Sequence, residues 1–308
     1  MVLRSIKLDR SIAHRGATLL VALAVLPSPA LAEKDTIRFA AFGDYGKGTG
    51  TTAVAQLVNN QAPDFIVTLG DNCYGSTPPI ATQVGTPYGA WVADSRLWPS
   101  LGNHEYSDGC GGGSAASGYR AYFTLPHNER YYDFVEGPVH FFALNSANEP
   151  DGKSATSKQA LWLKDKLAAS SSPWQIAFFH HPAFSSGSSG STEIMKWPFE
   201  QWGVDAVLQG HDHIYERILK DKDGDGVKLP YFVSGLGGKS KGSIRGSVSG
   251  SAKRYNADYG AMFITATPTE MTFEFRKVGG GTVVDSYALR QSSTNPATRF
   301  EWKIPPQR

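Results

Sequence analysis

Short apolar runs recur along the first two thirds of the chain, and each leads into a polar loop. Runs of this kind, nearly continuous in apolar residues, are typical of strands that are buried on both faces. The five runs are Ile37–Phe42, Phe65–Leu69, Leu97–Leu101, Gln175–Phe179 and Asp205–Gln209. Helical patterns fall between several of them, at Thr51–Asn60, Ser157–Ala169 and Glu193–Trp202. Because strands alternate with helices, the pattern predicts an α/β sheet.

The pattern changes after Gly210, where strand-like runs follow one another without clear helices between them. These runs are Leu229–Ser234, Ala261–Ala266, Met271–Lys277 and Val283–Leu289. They predict a second sheet that packs on the first. Since no internal repeat or linker divides the chain, one domain is predicted over residues 33–290. The polar residues 291–308 are predicted to form a loosely held C-terminal tail.

Residues 1–32 have the pattern of a secretory signal peptide. A basic region ends at Arg15, an apolar stretch runs over Ala17–Leu26, and Ala30-Leu31-Ala32 supplies a cleavage site. This pattern predicts export to the periplasm or the extracellular space. The apolar stretch is shorter than a typical membrane span and no later segment is long enough, so no span is expected after cleavage. An uncleaved N-terminal anchor is the alternative.

Composition and charge narrow the possible partners. With 308 residues, of which 41% are hydrophobic, the chain can bury a sizeable core. The formal net charge is only +2, and the basic excess lies in the N-terminal region, so a nucleic-acid-binding face is not expected. The two cysteines, Cys73 and Cys110, predict one disulfide in an exported chain, with two independent thiols as the alternative.

Polar side chains with metal-binding chemistry follow the five apolar runs. In an α/β sheet, such residues collect beyond the carboxyl ends of the strands. Hard oxygens together with imidazoles suit divalent or trivalent transition metals better than calcium. Seven ligands are too many for one ordinary site but suit two ions that share a carboxylate, and such ion pairs recur in phosphatases. The candidate ligands are Asp44, Asp71, Tyr74, Asn103, His180, His211 and His213, with His104 beside them.

The order of these motifs resembles the five metal-binding blocks of the purple acid phosphatases, which are calcineurin-like metallophosphoesterases. The blocks are Asp44-x-Gly46, Gly70-Asp71-x-x-Tyr74, Gly102-Asn103-His104-Glu105, Phe178-Phe179-His180 and Gly210-His211-x-His213. The resemblance extends from about Ile37 to Arg217. It implies a four-layer α/β/β/α sandwich, in which two stacked mixed β-sheets are flanked by helices.

The resemblance also implies which residues hold which ion. Ferric iron is implied at the first position and iron, zinc or manganese at the second, with one bridging aspartate between them. The ligands implied for the first ion are Asp44, Asp71, Tyr74 and His213. The ligands implied for the second ion are Asp71, Asn103, His180 and His211.

Tyr74 makes the chain resemble the purple acid phosphatases more than it resembles the other metallophosphoesterases. Those relatives usually carry Asp-x-His in the first block, where this chain has Asp44-Tyr45-Gly46. The Tyr74 phenolate is expected to replace the missing imidazole, and an ordinary packed aromatic is the alternative. A hard anionic oxygen favours a trivalent ion, which lowers the pKa of a bound water further than a divalent ion does.

The activity implied by the resemblance is hydrolysis of small phosphate monoesters by a metal-bound hydroxide. His104 is expected to contact the phosphate or to protonate the leaving alkoxide. The family usually has a further histidine where this chain has Ser189, and His181 is a possible substitute. The nearer alternative is a phosphodiesterase or nucleotidase on the same metals, and the more distant one is an exported metal-binding protein without catalysis. The oligomeric state stays open.

Overall fold

The computed structural model describes residues 34–75, 79–107, 110, 113–221, 224, 226–291 and 299–302. The predicted signal peptide, residues 1–32, lies outside these ranges and stays a prediction. Within the described ranges, every helix is too short or too polar to cross a membrane.

The described strands form two seven-stranded sheets. In spatial order, the first sheet consists of β14 (Arg299–Trp302), β13 (Val283–Gln291), β12 (Glu270–Lys277), β11 (Gly260–Ala266), β1 (Ile37–Phe42), β2 (Phe65–Thr68) and β3 (Leu97–Pro99). Strands β1, β2 and β3 pair in parallel, whereas β1 and β11 to β14 pair antiparallel. The first sheet is therefore mixed.

The second sheet is mixed as well. In spatial order, it consists of β10 (Ser251–Tyr255), β8 (Tyr215–Lys220), β9 (Leu229–Ser234), β7 (Ala206–Gln209), β6 (Trp174–Phe179), β5 (Val139–Ala143) and β4 (Tyr132–Glu136). Its central strands β5, β6, β7 and β9 are parallel, and β4, β8 and β10 join antiparallel at the two edges.

Helices cover the outer faces of both sheets. They are α1 (Thr49–Gln61), α2 (Ile80–Ala93), α3 (Ser117–Tyr122) and α4 (Lys158–Ala169). Apolar residues of α1, α2 and α3 pack with the outer face of the first sheet, and those of α4 pack with the outer face of the second. Helix α4 begins after Ser157, whose hydroxyl accepts a hydrogen bond from the Ala160 N–H at 3.2 Å, a common N-cap arrangement.

A central apolar layer joins the inner faces of the two sheets. Phe39 of β1 meets Phe141 of β5 edge-on, with ring centroids 5.0 Å apart. Phe232 of β9 stacks on Phe273 of β12 at 4.7 Å. With the helical layers outside, these contacts confirm the predicted four-layer sandwich of two stacked mixed sheets.

The predicted grouping of strands into sheets is wrong. The five early runs do not share one sheet, because β1, β2 and β3 lie in the first sheet whereas β6 and β7 lie in the second. The later strands are also divided, since β9 joins the second sheet while β11, β12 and β13 join the first. An apolar run reports burial on both faces of a strand but carries no information about which strand pairs with it.

The helix predicted at Glu193–Trp202 is also wrong. Only Glu193–Met195 forms a single 3₁₀ turn, and Pro198 follows it. A proline within a helical pattern removes a backbone donor and collides with the preceding turn. The pattern also missed several elements that the structure contains, namely α2, α3, β4, β5, β8 and β10.

The C-terminal boundary falls inside a strand. Strand β13 continues to Gln291, and Arg299–Trp302 pairs with it as β14. Part of the predicted tail thus extends the first sheet, while residues 292–298 and 303–308 lie outside the described ranges. The division into signal peptide, domain and tail stays a prediction.

Candidate metal centre

The loops that follow β1, β2, β3, β6 and β7 meet where the two sheets adjoin. Hydrogen bonds to backbone carbonyls tie these loops across the sheets. The Gly43 N–H donates to the Ser234 carbonyl at 2.9 Å, and Nδ1 of His180 bonds the Leu69 carbonyl at 2.8 Å. Strand ends from both sheets therefore contribute side chains to one region.

Three of the predicted ligands form a first group. The Tyr74 hydroxyl lies 3.1 Å from Oδ1 of Asp44 and 3.2 Å from Nε2 of His213. Nε2 of His213 lies 3.3 Å from the same carboxylate oxygen. The phenol, the imidazole and the carboxylate thus point their donor atoms at a common position.

The other four predicted ligands form a second group. Nε2 of His180 lies 3.3 Å from Oδ2 of Asp71 and 3.1 Å from Oδ1 of Asn103. Nδ1 of His211 lies 3.1 Å from the same His180 nitrogen. One oxygen of Asp71 also lies within 4.8 Å of an oxygen of Asp44, so this aspartate reaches both groups.

Hydrogen bonds on the far side of two imidazoles fix their orientation. Nδ1 of His180 bonds the Leu69 carbonyl, and Nδ1 of His213 lies 2.6 Å from the Ser240 hydroxyl. Both rings therefore present Nε2 to the centre, as histidine ligands do when their other nitrogen is hydrogen-bonded. The His211 backbone N–H donates to Oδ2 of Asp44 at 2.8 Å and holds that carboxylate in place.

The strand-end turns carry unusual backbone conformations. Asp44, Asp71 and His211 have φ angles of 62°, 51° and 68°, in the left-handed region that non-glycine residues seldom adopt. Each such residue costs about 1–3 kcal/mol and persists only where the surroundings enforce it. Glycine is needed at position 102, since a Cβ there would overlap the Asp71 carboxylate. These turns aim the side chains at the centre.

The electrostatics of the centre fit a cation. Burial acts to raise the pKa of Asp71, but the nearby His180 lowers it below its usual value. Burial acts to lower the pKa of His180, but Asp71 and Asp44 raise it to about 10. Burial and the same two carboxylates raise the pKa of Tyr74 well above its usual value. Positive charge between these carboxylates would offset their repulsion and favour a phenolate.

His104 lies at the solvent-facing side of the first group. Its backbone N–H donates to Oδ1 of Asp71 at 2.9 Å, and its side chain is 37% exposed. The imidazole packs over the Tyr74 ring with centroids 4.3 Å apart, and its Nε2 lies 3.8 Å from Oδ2 of Asp71. The side chain is therefore next to the carboxylate that reaches both groups and open to an incoming molecule.

His181 joins the second group, although the sequence named it only as a possible substitute. Its ring lies 4.5 Å from the His211 ring, and one nitrogen from each of His180, His181 and His211 falls within 4.8 Å of the others. Nδ1 of His181 lies 3.1 Å from the Ser146 hydroxyl. Burial, followed by the charges of the neighbouring histidines, lowers the pKa of His181 to about 2. The ring is thus neutral at ordinary pH.

Two further residues lie beside the centre, and the sequence predicted a role for neither of them. Nζ of Lys239 lies 4.6 Å from the centroid of the Tyr74 ring, and this lysine comes from a Gly/Ser-rich loop far along the chain. Glu105 is fully buried behind Asp71, although its motif predicted no role for it. Ser189, in contrast, donates its backbone N–H to Oδ1 of Asp212 at 2.8 Å.

The disulfide between Cys73 and Cys110 is confirmed, with the two Cα atoms 6.0 Å apart. It links the loop after β2 to the segment after β3. Both cysteines are buried. The two independent thiols that the sequence left open are excluded.

Known proteins resemble this chain in both sequence and fold. Purple acid phosphatase 15 of Arabidopsis thaliana is 31% identical over 65% of this chain, which spans 45% of that relative. The mouse (Mus musculus) tartrate-resistant acid phosphatase type 5 is 27% identical, over 68% of this chain and 75% of its own length. The chain thus spans less than half of the plant relative.

Structural comparison agrees at the level of the fold. A purple acid phosphatase from yellow lupin (Lupinus luteus) seeds superposes with a TM-score of 0.69 and 20% identity, over 83% of this chain and 54% of the lupin chain. The profile of the calcineurin-like phosphoesterase family matches residues 37–215. Because that match covers more than half of the sequence, the chain belongs to the calcineurin-like phosphoesterase family, with purple acid phosphatases among its relatives.

Proposed function

We propose that this chain is a phosphomonoesterase of the purple acid phosphatase type that hydrolyses small phosphorylated substrates at a binuclear metal centre. One observation carries the proposal. Donor atoms from five separate loops approach one another to between 3.1 and 3.3 Å in two groups, and Asp71 has a ligand atom within 4.8 Å of members of both groups. Buried donors rarely face one another in this way without a shared cation or proton.

The chemistry of each group suggests the ion it would hold. The first group offers carboxylates and a phenol, and hard anionic oxygens suit ferric iron. The second group has two imidazoles and an amide oxygen, which suit divalent iron, zinc or manganese. Residues proposed for the first ion are Asp44, Asp71, Tyr74 and His213. Residues proposed for the second ion are Asp71, Asn103, His180 and His211, so Asp71 would be shared.

Two histidines beside the proposed ions would contact the substrate. When bound, such ions supply positive charge for phosphate oxygens and acidify a water molecule. His104, half exposed over Tyr74, would contact the phosphate or protonate the leaving oxygen. His181 would donate a hydrogen bond from Nε2 to a phosphate oxygen at the second group, with Nδ1 accepting the Ser146 hydroxyl proton.

Metal content, colour and substrate preference together test this proposal. We expect iron in the purified protein, a visible band from the Tyr74 phenolate to ferric iron, and faster hydrolysis of 4-nitrophenyl phosphate than of bis(4-nitrophenyl) phosphate. Tyr74→Phe should abolish the band because it removes the phenolate, while the far-ultraviolet circular dichroism stays unchanged. The matched control Tyr259→Phe, outside both groups, should keep the band.

Other outcomes would select the alternatives. Faster hydrolysis of the diester would favour a phosphodiesterase on the same centre. Stoichiometric metal without hydrolysis of either ester would favour a metal-binding protein. A fully loaded protein without iron and without the band would reject the purple acid phosphatase type.

We also propose that the chain acts in the periplasm or the extracellular space. The buried Cys73–Cys110 disulfide supports this location, because disulfides persist in oxidising compartments and are rare where thiols are kept reduced. The pattern of residues 1–32 supports it as well. Sequencing the N-terminus of the protein recovered from the expected compartment tests it, and a start near Glu33 is the expected result.

A further inference from the structure

Glu105 is a buried carboxylate that touches the backbone of two ligand-bearing loops. Its side chain is fully buried. Oε2 accepts the N–H groups of Asp71 at 3.1 Å and Gly102 at 2.5 Å. Oε1 accepts the N–H of Asn72 at 2.7 Å. One carboxylate therefore joins the loop after β2 to the loop after β3.

The disulfide is a second link between the same segments. Cys73 lies between Asp71 and Tyr74 in the chain, and Cys110 follows the turn at His104–Tyr106. The two sulfur atoms and one Glu105 oxygen lie within 4.8 Å of one another. Because the covalent link and the hydrogen bonds adjoin, we treat Glu105, Cys73 and Cys110 as one unit, the loop clamp.

The loop clamp joins two loops that carry proposed metal ligands. The loop after β2 carries Asp71 and Tyr74, and the loop after β3 carries Asn103. Asp71 has a left-handed backbone that costs free energy, and Glu105 ties down the N–H groups of Asp71 and of the residue after it. We propose that the loop clamp is a positioning device, which sets the separation of the two loops and thereby the metal affinity of the centre.

This inference rests on the proposed binuclear centre, and Glu105 is a positioning residue within it. The Glu105 carboxylate faces three N–H donors with acceptor oxygens only. Glutamine has the same shape, but its amide nitrogen is a donor. In E105Q, one end of the side chain would oppose an N–H group, so the two loops would have to separate.

Glu216 provides a matched control. It is also fully buried, and it accepts hydrogen bonds from the Ser186 N–H at 2.7 Å, the Ser186 hydroxyl at 2.6 Å and the Ser251 hydroxyl at 2.5 Å. These partners belong to the loop after β6 and to β10, not to the two clamped loops. E216Q should therefore disturb a buried carboxylate of the same kind without moving Asp71 or Asn103.

Zinc affinity of the metal-free chains tests the loop clamp. Zn²⁺ alone is titrated against a chromophoric chelator for the wild type, E105Q, E216Q and the double variant C73A/C110A. We expect E105Q to weaken Zn²⁺ binding about 10- to 100-fold, the usual effect of removing a residue that supports metal ligands. We expect E216Q to bind Zn²⁺ with wild-type affinity, even where its thermal stability falls as much as that of E105Q.

The disulfide provides the second arm of the test. C73A/C110A should also weaken Zn²⁺ binding, and adding E105Q should weaken it by less than the product of the separate effects, because both links hold the same two loops. If E105Q does not fold, the Zn²⁺ affinity of C73A/C110A alone tests the loop clamp. Wild-type Zn²⁺ affinity in the folded clamp variants would overturn the loop clamp. A wild type that binds no Zn²⁺ would instead overturn the proposed metal centre.

Discussion

Individual side chains at this centre depend on the contacts behind them. His181 is the clearest example, since the Ser146 hydroxyl contacts both its backbone N–H and its ring. The Ser146 hydroxyl accepts the His181 backbone N–H at 2.8 Å and lies 3.1 Å from the ring nitrogen Nδ1. The ring is therefore held beside His211, with the two ring centroids 4.5 Å apart, as its proposed contact with a phosphate oxygen requires.

His181→Ala tests the role of this ring. We expect kcat/KM for an alkyl phosphate to fall about tenfold, the effect of losing one hydrogen bond worth about 1.4 kcal/mol, while metal content stays unchanged. His127→Ala, which removes an exposed histidine paired with Asp133, is the control and should keep full activity. Loss of one metal ion from the His181 variant would show that this residue is a ligand instead.

Turns at the strand ends place these side chains, and the turn after β3 requires a glycine. Gly102 stands against the Asp71 carboxylate, so there is no room for a Cβ. Gly89 inside α2 has nothing within 4 Å of an added Cβ. The same substitution should therefore have opposite consequences in the two elements.

Gly102→Ala is expected to displace Asp71 and to weaken metal binding at both positions. Gly89→Ala should leave metal binding unchanged and raise the free energy of unfolding by about 0.5–1 kcal/mol, because alanine loses less backbone freedom in a helix. Metal titration and urea unfolding of both variants measure these effects. Wild-type metal affinity in the Gly102 variant would show that a Cβ at position 102 does not displace Asp71.

Strands β4 and β5 and helix α4 meet at a charge cluster around Asp133. Its carboxylate lies 2.8 Å from Nε2 of His127, 3.0 Å from Nε2 of His140 and 3.2 Å from Nζ of Lys166. Partial burial acts to raise the pKa of Asp133, but the bonds from His140 and Lys166 outweigh it and lower the pKa to about 2. An unfolded aspartate has a pKa of about 3.9. The folded state therefore gains stability above about pH 4 and loses that gain as the pH falls through about 2.

Asp133→Asn should show this linkage directly. We expect the substitution to lower the free energy of unfolding by about 1–2 kcal/mol at about pH 6, because the ionised carboxylate is lost. The gap between the variant and the wild type should narrow as the pH falls from about 4 towards 2. Urea unfolding across this range is the measurement. A difference in the free energy of unfolding that does not change with pH would show that ionisation of Asp133 does not stabilise the fold.

The proposed centre draws side chains from loops of both sheets. Asp44 and Asp71 follow strands of the first sheet and His180 follows a strand of the second, and one ligand atom of each lies within 4.8 Å of the others. An ion that binds only the folded chain stabilises it by about 2.7 kcal/mol at a concentration 100 times its Kd. Metal binding should therefore contribute to the stability of the whole domain.

Chelation is expected to lower Tm, and restoring the ions should recover it. Differential scanning calorimetry of the chelated and the reloaded protein measures the shift. Asp71→Ala should show little difference between the two states, because it removes the proposed shared ligand. A Tm that does not respond to chelation in the wild type would argue against a centre that joins the loops of both sheets.

Local chemistry was readable from the sequence because it depends on short stretches of chain. Apolar runs located β1, β6, β7 and β9 to within a residue, and the residues after them located the donor atoms. The order of the motifs indicated the family, and two cysteines indicated the disulfide. The sequence by itself thus determined the candidate donor residues and the positions of several strands, and its resemblance to a known family implied the four-layer architecture.

Only the tertiary structure decided which strands pair and which distant residues touch. The pattern placed β1 to β3 in one sheet with β6 and β7, yet the chain crosses to a second sheet after β3 and returns with β11. Likewise, Glu105 reaches the Asn72 N–H, 33 positions away, and His181 gains its place from Ser146, 35 positions away. Such contacts depend on which surfaces pack together across the fold, and the hydrophobic period of a single segment carries no information about them.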